Sequence, residues 1–283
     1  MDTITDYSSF SGGHDAYCDF LINLEANSND SSNTSSVNEK DTDVDTPHLP
    51  CLVSVSPTLE SGKKVKACPD SGCTMSLISK NLARKIGVRI LRTRIKLYGS
   101  TGTSIKLAGQ AIIFVKVKRV PVKRLTVLVV KKVSDDLTIS YRDLITLRVL
   151  SDNFPNQVSN KEASLLLHPD GNINEAPYLT CRVRAGPTID VTIDAVADTG
   201  CTGATRISED FAKRCGINVY PTSFVSIHSK VSGQAWISIK IKNQIKINRL
   251  VMVANIKDDM LLCWRDLIDL GVLGADFPSP ATE

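Results

Sequence analysis

The sequence is 283 residues long, with 42% hydrophobic and 5% aromatic residues and a formal net charge of +4. This length and hydrophobic content suffice for one large core or two small ones, and abundant Val, Ile and Leu favour a β-rich interior. Eight scattered cysteines without a Cys-x-x-Cys pair favour neither a zinc site nor a disulfide framework, and no apolar run approaches the ~20 residues that span a bilayer.

The first 49 residues differ from the rest in charge. They contain ten acidic residues and one basic residue, so the segment carries −9 and the remainder of the chain +13. Because the segment is also rich in Ser, Asn and Thr, it cannot bury enough apolar area to fold, and we predict a disordered tail over residues 1–49. Its acidic start is unlike a signal peptide, which together with the cysteine pattern indicates a soluble, cytoplasmic protein.

A first folded unit is predicted over residues 50–155. Two short strands at 52–55 and 64–67 form a hairpin, and a helix follows at 79–87, with Ser79 as its N-cap and Gly87 as its end. Alternating strands are predicted at 111–117 and 125–130, and a second short helix at 141–147.

The rest of the chain replays this order. A polar linker is predicted at 156–176, a second unit at 177–278 and a short tail at 279–283. The helix ending at Gly216 corresponds to the one ending at Gly87, and the segment from Asp258 to Leu267 corresponds to the segment from Asp135 to Leu144. A repeat of this size indicates a duplicated domain and not a solenoid.

One short motif occurs once in each unit. The five residues from Asp70 to Thr74 (Asp-Ser-Gly-Cys-Thr) reappear 128 positions later, from Asp198 to Thr202 (Asp-Thr-Gly-Cys-Thr). Two carboxyl groups held within hydrogen-bonding distance share one proton, so that one serves as base and the other as acid; aspartic proteases are the standard example. The motif therefore predicts Asp70 and Asp198 as a catalytic pair.

The neighbours of the two acids have predicted supporting roles. Gly72 and Gly200 allow the two loops to approach closely. The hydroxyls of Ser71 and Thr199 can bond across the axis between the units and fix the loops. The remaining loop residues assigned to support are Thr74 and Thr202. The thiols of Cys73 and Cys201 are interpreted as buried core groups and not as nucleophiles, because no His is placed to activate them.

These motifs resemble those of the retropepsin-like aspartic proteases of retroviruses and LTR retrotransposons. The similarity is carried by the segment Val196 to Thr202, by Leu261 to Leu267 and by the ending from Leu270 to Pro278. It implies an all-β fold of two closed β-barrel lobes, each with a short C-terminal helix, and a substrate cleft covered by hairpin flaps. The flaps would be residues 98–103 and 227–233, with substrate-binding residues Tyr98, Gly99, Gly102 and His228.

Three features depart from the family pattern and bear on activity more than on fold. Pro69 precedes the first catalytic Asp and lacks a strand N–H donor. Ser140 and Cys263 stand where the family has a glycine, and the second flap has no glycine before Gly233.

The resemblance implies a retrotransposon-derived aspartic endopeptidase that uses no cofactor and no metal and acts on polypeptides. Its lobes would pair within one chain or between two chains of a homodimer. The basic strand segments at 116–119 and 240–242 are interpreted as solvated faces and not as a nucleic-acid site. The alternative function is a catalytically inactive module that keeps the fold and binds or assembles with a protein partner.

Overall fold

The computed structural model describes residues 46–99, 101, 103–131, 135–155, 176–222, 230–241 and 246–280. The predicted N-terminal tail and linker fall almost wholly outside these ranges. No helix within them is long and apolar enough to cross a membrane.

Six strands form a closed barrel in the first lobe. In barrel order, each strand paired with the next and the last with the first, they are β1 (Leu49–Ser54), β2 (Lys63–Asp70), β8 (Leu137–Ser140), β3 (Leu77–Ser79), β7 (Lys123–Val130) and β6 (Leu107–Val117). The alternating sequence of β6 buries every second side chain in the barrel, as period-two patterning requires. A separate two-stranded hairpin consists of β4 (Leu97–Tyr98) and β5 (Ser104–Ile105).

The second lobe repeats this barrel strand for strand. Its order is β9 (Tyr178–Ala185), β10 (Ile189–Ala197), β14 (Met260–Leu262), β11 (Arg206–Ser208), β13 (Lys246–Ala254) and β12 (Val231–Lys240). Thus β9 to β14 correspond in turn to β1, β2, β3, β6, β7 and β8. The predicted all-β fold of two closed barrels is confirmed by this repeated topology.

Among the described residues, four short helices complete the lobes. They are α1 (Lys80–Lys85), α2 (Tyr141–Thr146), α3 (Glu209–Cys215) and α4 (Trp264–Asp269). The predicted cap of α1 is confirmed, because Ser79 Oγ accepts a hydrogen bond from the Leu82 N–H at 2.9 Å; Ser208 caps α3 in the same way. Gly87 and Gly216 follow these helices with positive φ angles, which glycine adopts without strain.

The Gly-Gln-Ala sequence that recurs in the two units has a structural cause. Gly109 in β6 and Gly233 in β12 each lie at a register shift where another segment crosses the strand. A Cβ atom would lie 2.3 Å from the Leu91 carbonyl oxygen at Gly109, and 2.7 Å from that of Tyr220 at Gly233. The assignment of Gly233 to the second flap is therefore wrong: residues 231–233 belong to β12, and glycine is needed there for close packing.

Candidate active site

The two repeated motifs meet at the interface between the lobes. Asp70 ends β2, and Asp198 directly follows β10, its counterpart. The carboxyl groups of the two aspartates face each other across this interface, each half-buried and each acting on the pKa of the other. A Cβ atom added to Gly72 would lie 2.7 Å from Cγ of Asp198, and one added to Gly200 would lie 2.4 Å from Cγ of Asp70. Each glycine therefore provides the space that the opposite carboxyl occupies.

Four hydrogen bonds join the two loops reciprocally. The Ser71 N–H donates to Thr199 Oγ1 and the Thr199 N–H donates to Ser71 Oγ, both at 2.9 Å. The Ser71 hydroxyl donates to the Ala197 carbonyl at 2.5 Å, and the Thr199 hydroxyl donates to the Pro69 carbonyl at 2.8 Å. Both hydroxyl-bearing residues are buried, so the four bonds fix the position of the aspartates without solvent competition.

Pro69 affects a bond outside this network. In the second lobe, the Ala197 N–H donates to the Pro177 carbonyl at 2.9 Å, a bond that proline cannot make. Pro69 is nonetheless buried within β2, pairs in register with Ile139 of β8 and offers its carbonyl to Thr199. The missing donor lies on the edge of β2 that faces the segment leading into β1, and not on the side of the second lobe. The loop that carries Asp70 therefore keeps its cross-lobe bonds.

The electrostatics of the pair are asymmetric. Burial raises the pKa of Asp70 well above its ordinary value, and the nearby negative charge of Asp198 raises it further. Burial also raises the pKa of Asp198, but the Gly200 N–H, which donates to its carboxylate at 3.0 Å, and the positive charge of Arg206 both lower it. Backbone N–H groups of Gly72 and Cys73 lower the pKa of Asp70 in the same way, so the positive charge of Arg206 is what distinguishes the two carboxyls and favours the negative charge on Asp198.

A second pair of networks lies behind the aspartate loops, one in each lobe. Ser76 Oγ donates to the Asp143 carboxylate at 2.5 Å and accepts from the Ser140 N–H at 2.9 Å. In the second lobe, Thr205 Oγ1 donates to Asp266 at 2.5 Å and accepts from the Cys263 N–H at 3.1 Å. In the first lobe these bonds join the start of β3 to the start of α2. In the second lobe they join the start of β11 to the start of α4.

These four hydroxyl and carboxyl residues were not predicted from the sequence. The signal was present, because Arg-Asp-Leu-Ile occurs in both units at 142–145 and 265–268. Thr74 is exposed, and within the described ranges the side chains of Thr74 and Thr202 make no hydrogen bond. The support expected from those two threonines comes instead from Ser76 and Thr205.

The two lobes differ in how the carboxyl behind the loop is neutralised. Asp266 is 4% exposed and accepts from Arg249 Nε at 2.5 Å, while Arg249 also bonds Asp269. The barrel register places Leu125 of β7 where β13 has Arg249. Burial raises the pKa of Asp143, although its bonds from Ser76 and Ser140 lower it.

Part of the predicted first flap is described. Tyr98 ends β4, is 56% exposed and lies opposite Ser104 of β5, and the Gly99 N–H donates to the Thr103 carbonyl at 2.9 Å. Gly102 and His228 lie outside the described residues, as do residues 227 and 229 of the predicted second flap. The structure thus places a hairpin where the first flap was predicted.

The thiols beside the aspartates are poorly suited to nucleophilic chemistry. Burial raises the pKa of both Cys73 and Cys201 far above that of a free thiol; the charge of Asp198 raises both further, and that of Asp70 also raises the pKa of Cys73. All seven cysteines in the described ranges have free thiols. No group of three or more potential metal ligands occurs in the described part of the chain.

Comparison with protein families supports the class defined by this fold and site. Residues 55–142 match the sequence model of a family described as aspartyl protease. This match supports the predicted relationship to the aspartic proteases over the first lobe. It covers most of the first lobe, including Asp70, and the second lobe repeats the same barrel.

Solved structures that are similar to the chain include the following three. The crystal structure of the retroviral protease-like domain of Ddi1 from Leishmania major is 20% identical, covering 36% of this chain and 74% of its own, with a TM-score of 0.27. EIAV protease complexed with the inhibitor HBY-793 is 20% identical, and the similarity covers 35% of this chain and 92% of the EIAV protease chain, with a TM-score of 0.28. The aspartic proteinase from Irpex lacteus is 13% identical, and the similarity covers 79% of this chain and 91% of the proteinase chain, with a TM-score of 0.42. A comparison with curated protein sequences gives no match.

Proposed function

We propose that the chain is an aspartic endopeptidase, derived from a retrotransposon, whose active site forms between its own two lobes. The observation that carries this proposal is the juxtaposition of the Asp70 and Asp198 carboxyls, each packed against the glycine of the opposite loop and held in place by the reciprocal bonds of Ser71 and Thr199. The substrate is a polypeptide lying across the interface beneath the hairpin of β4 and β5. The free thiols agree with a cytoplasmic location.

The asymmetry of the pair assigns the two roles. Asp198, which is stabilised as an anion by Gly200 and Arg206, takes a proton from a water molecule as that water attacks the peptide carbonyl carbon. Asp70 donates its proton to the carbonyl oxygen, which gives a neutral tetrahedral diol. When the C–N bond breaks, Asp198 returns the proton to the leaving nitrogen and Asp70 regains one from the diol.

Peptide cleavage by purified protein tests this proposal. A mixed peptide library is incubated at pH 4 to 7 with the wild type, with Asp70→Asn and with Asp198→Asn, and products are identified by mass spectrometry. Loss of cleavage in either variant is expected, since one chain supplies one pair. Asp276→Asn, which changes an exposed carboxyl, is the matched control.

The other outcomes have distinct meanings. If each variant keeps part of the activity, the pairs form between chains, as Asp70 with Asp70 and Asp198 with Asp198. If folded wild-type protein cleaves nothing across this pH range, the enzyme proposal is wrong and the inactive protein-binding module takes its place.

A further inference from the structure

The two lobes differ at one position beside the aspartates. Leu77 begins β3 and pairs with Leu128 of β7, and Arg206 begins β11 and pairs with Met252 of β13. Because β3 and β11 are equivalent strands, Arg206 occupies in the second lobe the place of Leu77 in the first.

In the first lobe this position belongs to an apolar surface beneath the hairpin. Leu77 packs with Leu128, with Leu97 and Ile105 of the β4–β5 hairpin, and with Cys73 of the Asp70 loop. The next residue on the strand, Ile78, points the other way into the barrel core. This apolar cluster therefore lies outside the barrel, between the β4–β5 hairpin and the loop that carries Asp70.

In the second lobe the equivalent surface contains a buried cation. Ile207 points into the barrel core, as Ile78 does, so Arg206 lies on the face outside the barrel. Arg206 is only 7% exposed, and within the described ranges its guanidinium has no hydrogen-bond or ion-pair partner. Its positive charge acts on both Asp198 and Cys201.

Although most of the Arg206 side chain is buried, its guanidinium nitrogens are not among the fully buried polar atoms without a partner in the described residues, so they reach solvent with their donors unused and are open to an anion. Its five N–H donors match a carboxylate, which binds two of them side by side. The attraction between Arg206 and Asp198 offsets part of the cost of burying the positive charge. Asp198 accepts no hydrogen bond from the N–H groups of Arg206.

We infer that Arg206 is a specificity-determining residue that binds an acidic side chain of the substrate on the second-lobe side of the scissile bond. This inference rests on the proposed function. On the first-lobe side, the surface around Leu77 accepts an apolar side chain. The preferred substrate is thus asymmetric, with an apolar residue on one side of the cleaved bond and Asp or Glu on the other.

Binding is measured separately from cleavage, so that failure of one proposal is distinguishable from failure of the other. A library of N-acetylated, C-amidated decapeptides, in which all acids are side chains, is incubated with immobilised full-length Asp70→Asn protein and with Asp70→Asn/Arg206→Leu. Bound peptides are eluted and identified by mass spectrometry. The variant Asp70→Asn/Arg214→Leu controls for the change in net charge, because it removes an exposed arginine of the same lobe.

Peptides with Asp or Glu should be enriched about 10- to 100-fold over their Asn or Gln counterparts, the range for hydrogen bonds to a charged group. Arg206→Leu should abolish this enrichment, whereas Arg214→Leu should retain it and Arg206→Lys should retain part. The enrichment should also fall below about pH 4, as a glutamate side chain becomes protonated.

If Arg206 only stabilised the charge of Asp198, its removal would change the binding of peptides with Asp or Glu and of peptides with Asn or Gln by the same factor. Equal binding of the two sets by Asp70→Asn protein, enrichment that survives Arg206→Leu, or no peptide binding at all overturns the inference. Acid-specific binding without any cleavage by the wild type would support this inference while refuting the proposed endopeptidase. A library with free C-termini, run in parallel, shows whether a terminal carboxylate binds instead, which would overturn the assignment to a side chain.

Discussion

Ser71 and Thr199, 128 positions apart, each donate a backbone N–H to the other's side-chain oxygen at 2.9 Å. Each hydroxyl also donates to a carbonyl of the opposite lobe, at Ala197 or Pro69. The two short turns that carry the aspartates are therefore one rigid unit, although they come from separate barrels.

Removing either hydroxyl should destabilise this unit. Ser71→Ala or Thr199→Val leaves a buried N–H and a buried carbonyl without their partners, and we expect a loss of about 2–4 kcal/mol in the free energy of unfolding. Urea unfolding measures this loss. Thr199→Ser keeps the hydroxyl and should lose less than half as much. A loss below about 1 kcal/mol in both Ser71→Ala and Thr199→Val would contradict the role given to these bonds.

The glycines beside the hydroxyls should tolerate no side chain. In Gly72→Ala the new Cβ would displace the Asp198 carboxyl, and in Gly200→Ala it would displace that of Asp70. Since displacement of a reacting group by about 1 Å reduces turnover about 100-fold, we expect at least that loss in kcat. Gly186→Ala is the control: its φ is +63° and it has no neighbouring atom within 4 Å, so it should cost only about 1 kcal/mol of stability. Full activity in Gly72→Ala would be inconsistent with the described contact.

The stability of the folded chain should depend on pH through Asp70. Burial raises its pKa above the ~3.9 of an unfolded aspartate, so between these two values the native state binds more protons than the unfolded state. The contribution of the protonated carboxyl is fully present below about pH 3.9 and is lost as pH rises through the native pKa. The free energy of unfolding of the wild type, relative to Asp70→Asn, should therefore decrease from about pH 4 to pH 7. Urea titrations at several pH values measure this difference, and a difference that is flat or rises with pH would refute the raised pKa.

The ion pair of Arg249 and Asp266 should stabilise the second lobe. Arg249→Leu gives β13 the residue that β7 has at Leu125 and leaves the buried Asp266 carboxylate without its cation. We expect a loss of about 1–3 kcal/mol, less than for a wholly buried pair, because the Arg249 side chain is one-third exposed. Differential scanning calorimetry measures it. The double variant Arg249→Leu/Asp266→Asn should recover part of the loss, and a double variant less stable than the single one would show that the charge is not the cause.

Local patterns in the sequence predicted much of this protein. The Ser79 cap and the Gly87 helix end are encoded within a few residues, and the alternation of β6 is visible along one strand. The repeat then predicted two lobes of one fold, and the duplicated motif selected Asp70 and Asp198 as the pair. Each of these features depends on spacing along the chain, which a sequence displays directly.

Only the tertiary structure decided how residues distant in the sequence meet. Gly233 looked like part of a flap, but its need for glycine comes from Tyr220, which crosses the strand. Ser76 and Thr205 acquire their roles from carboxyls more than 60 positions away. No pattern in the sequence distinguishes Arg206, and its role comes from its burial in a barrel wall beside Asp198. Burial and electrostatic coupling depend on neighbours in space, and barrel closure sets these neighbours.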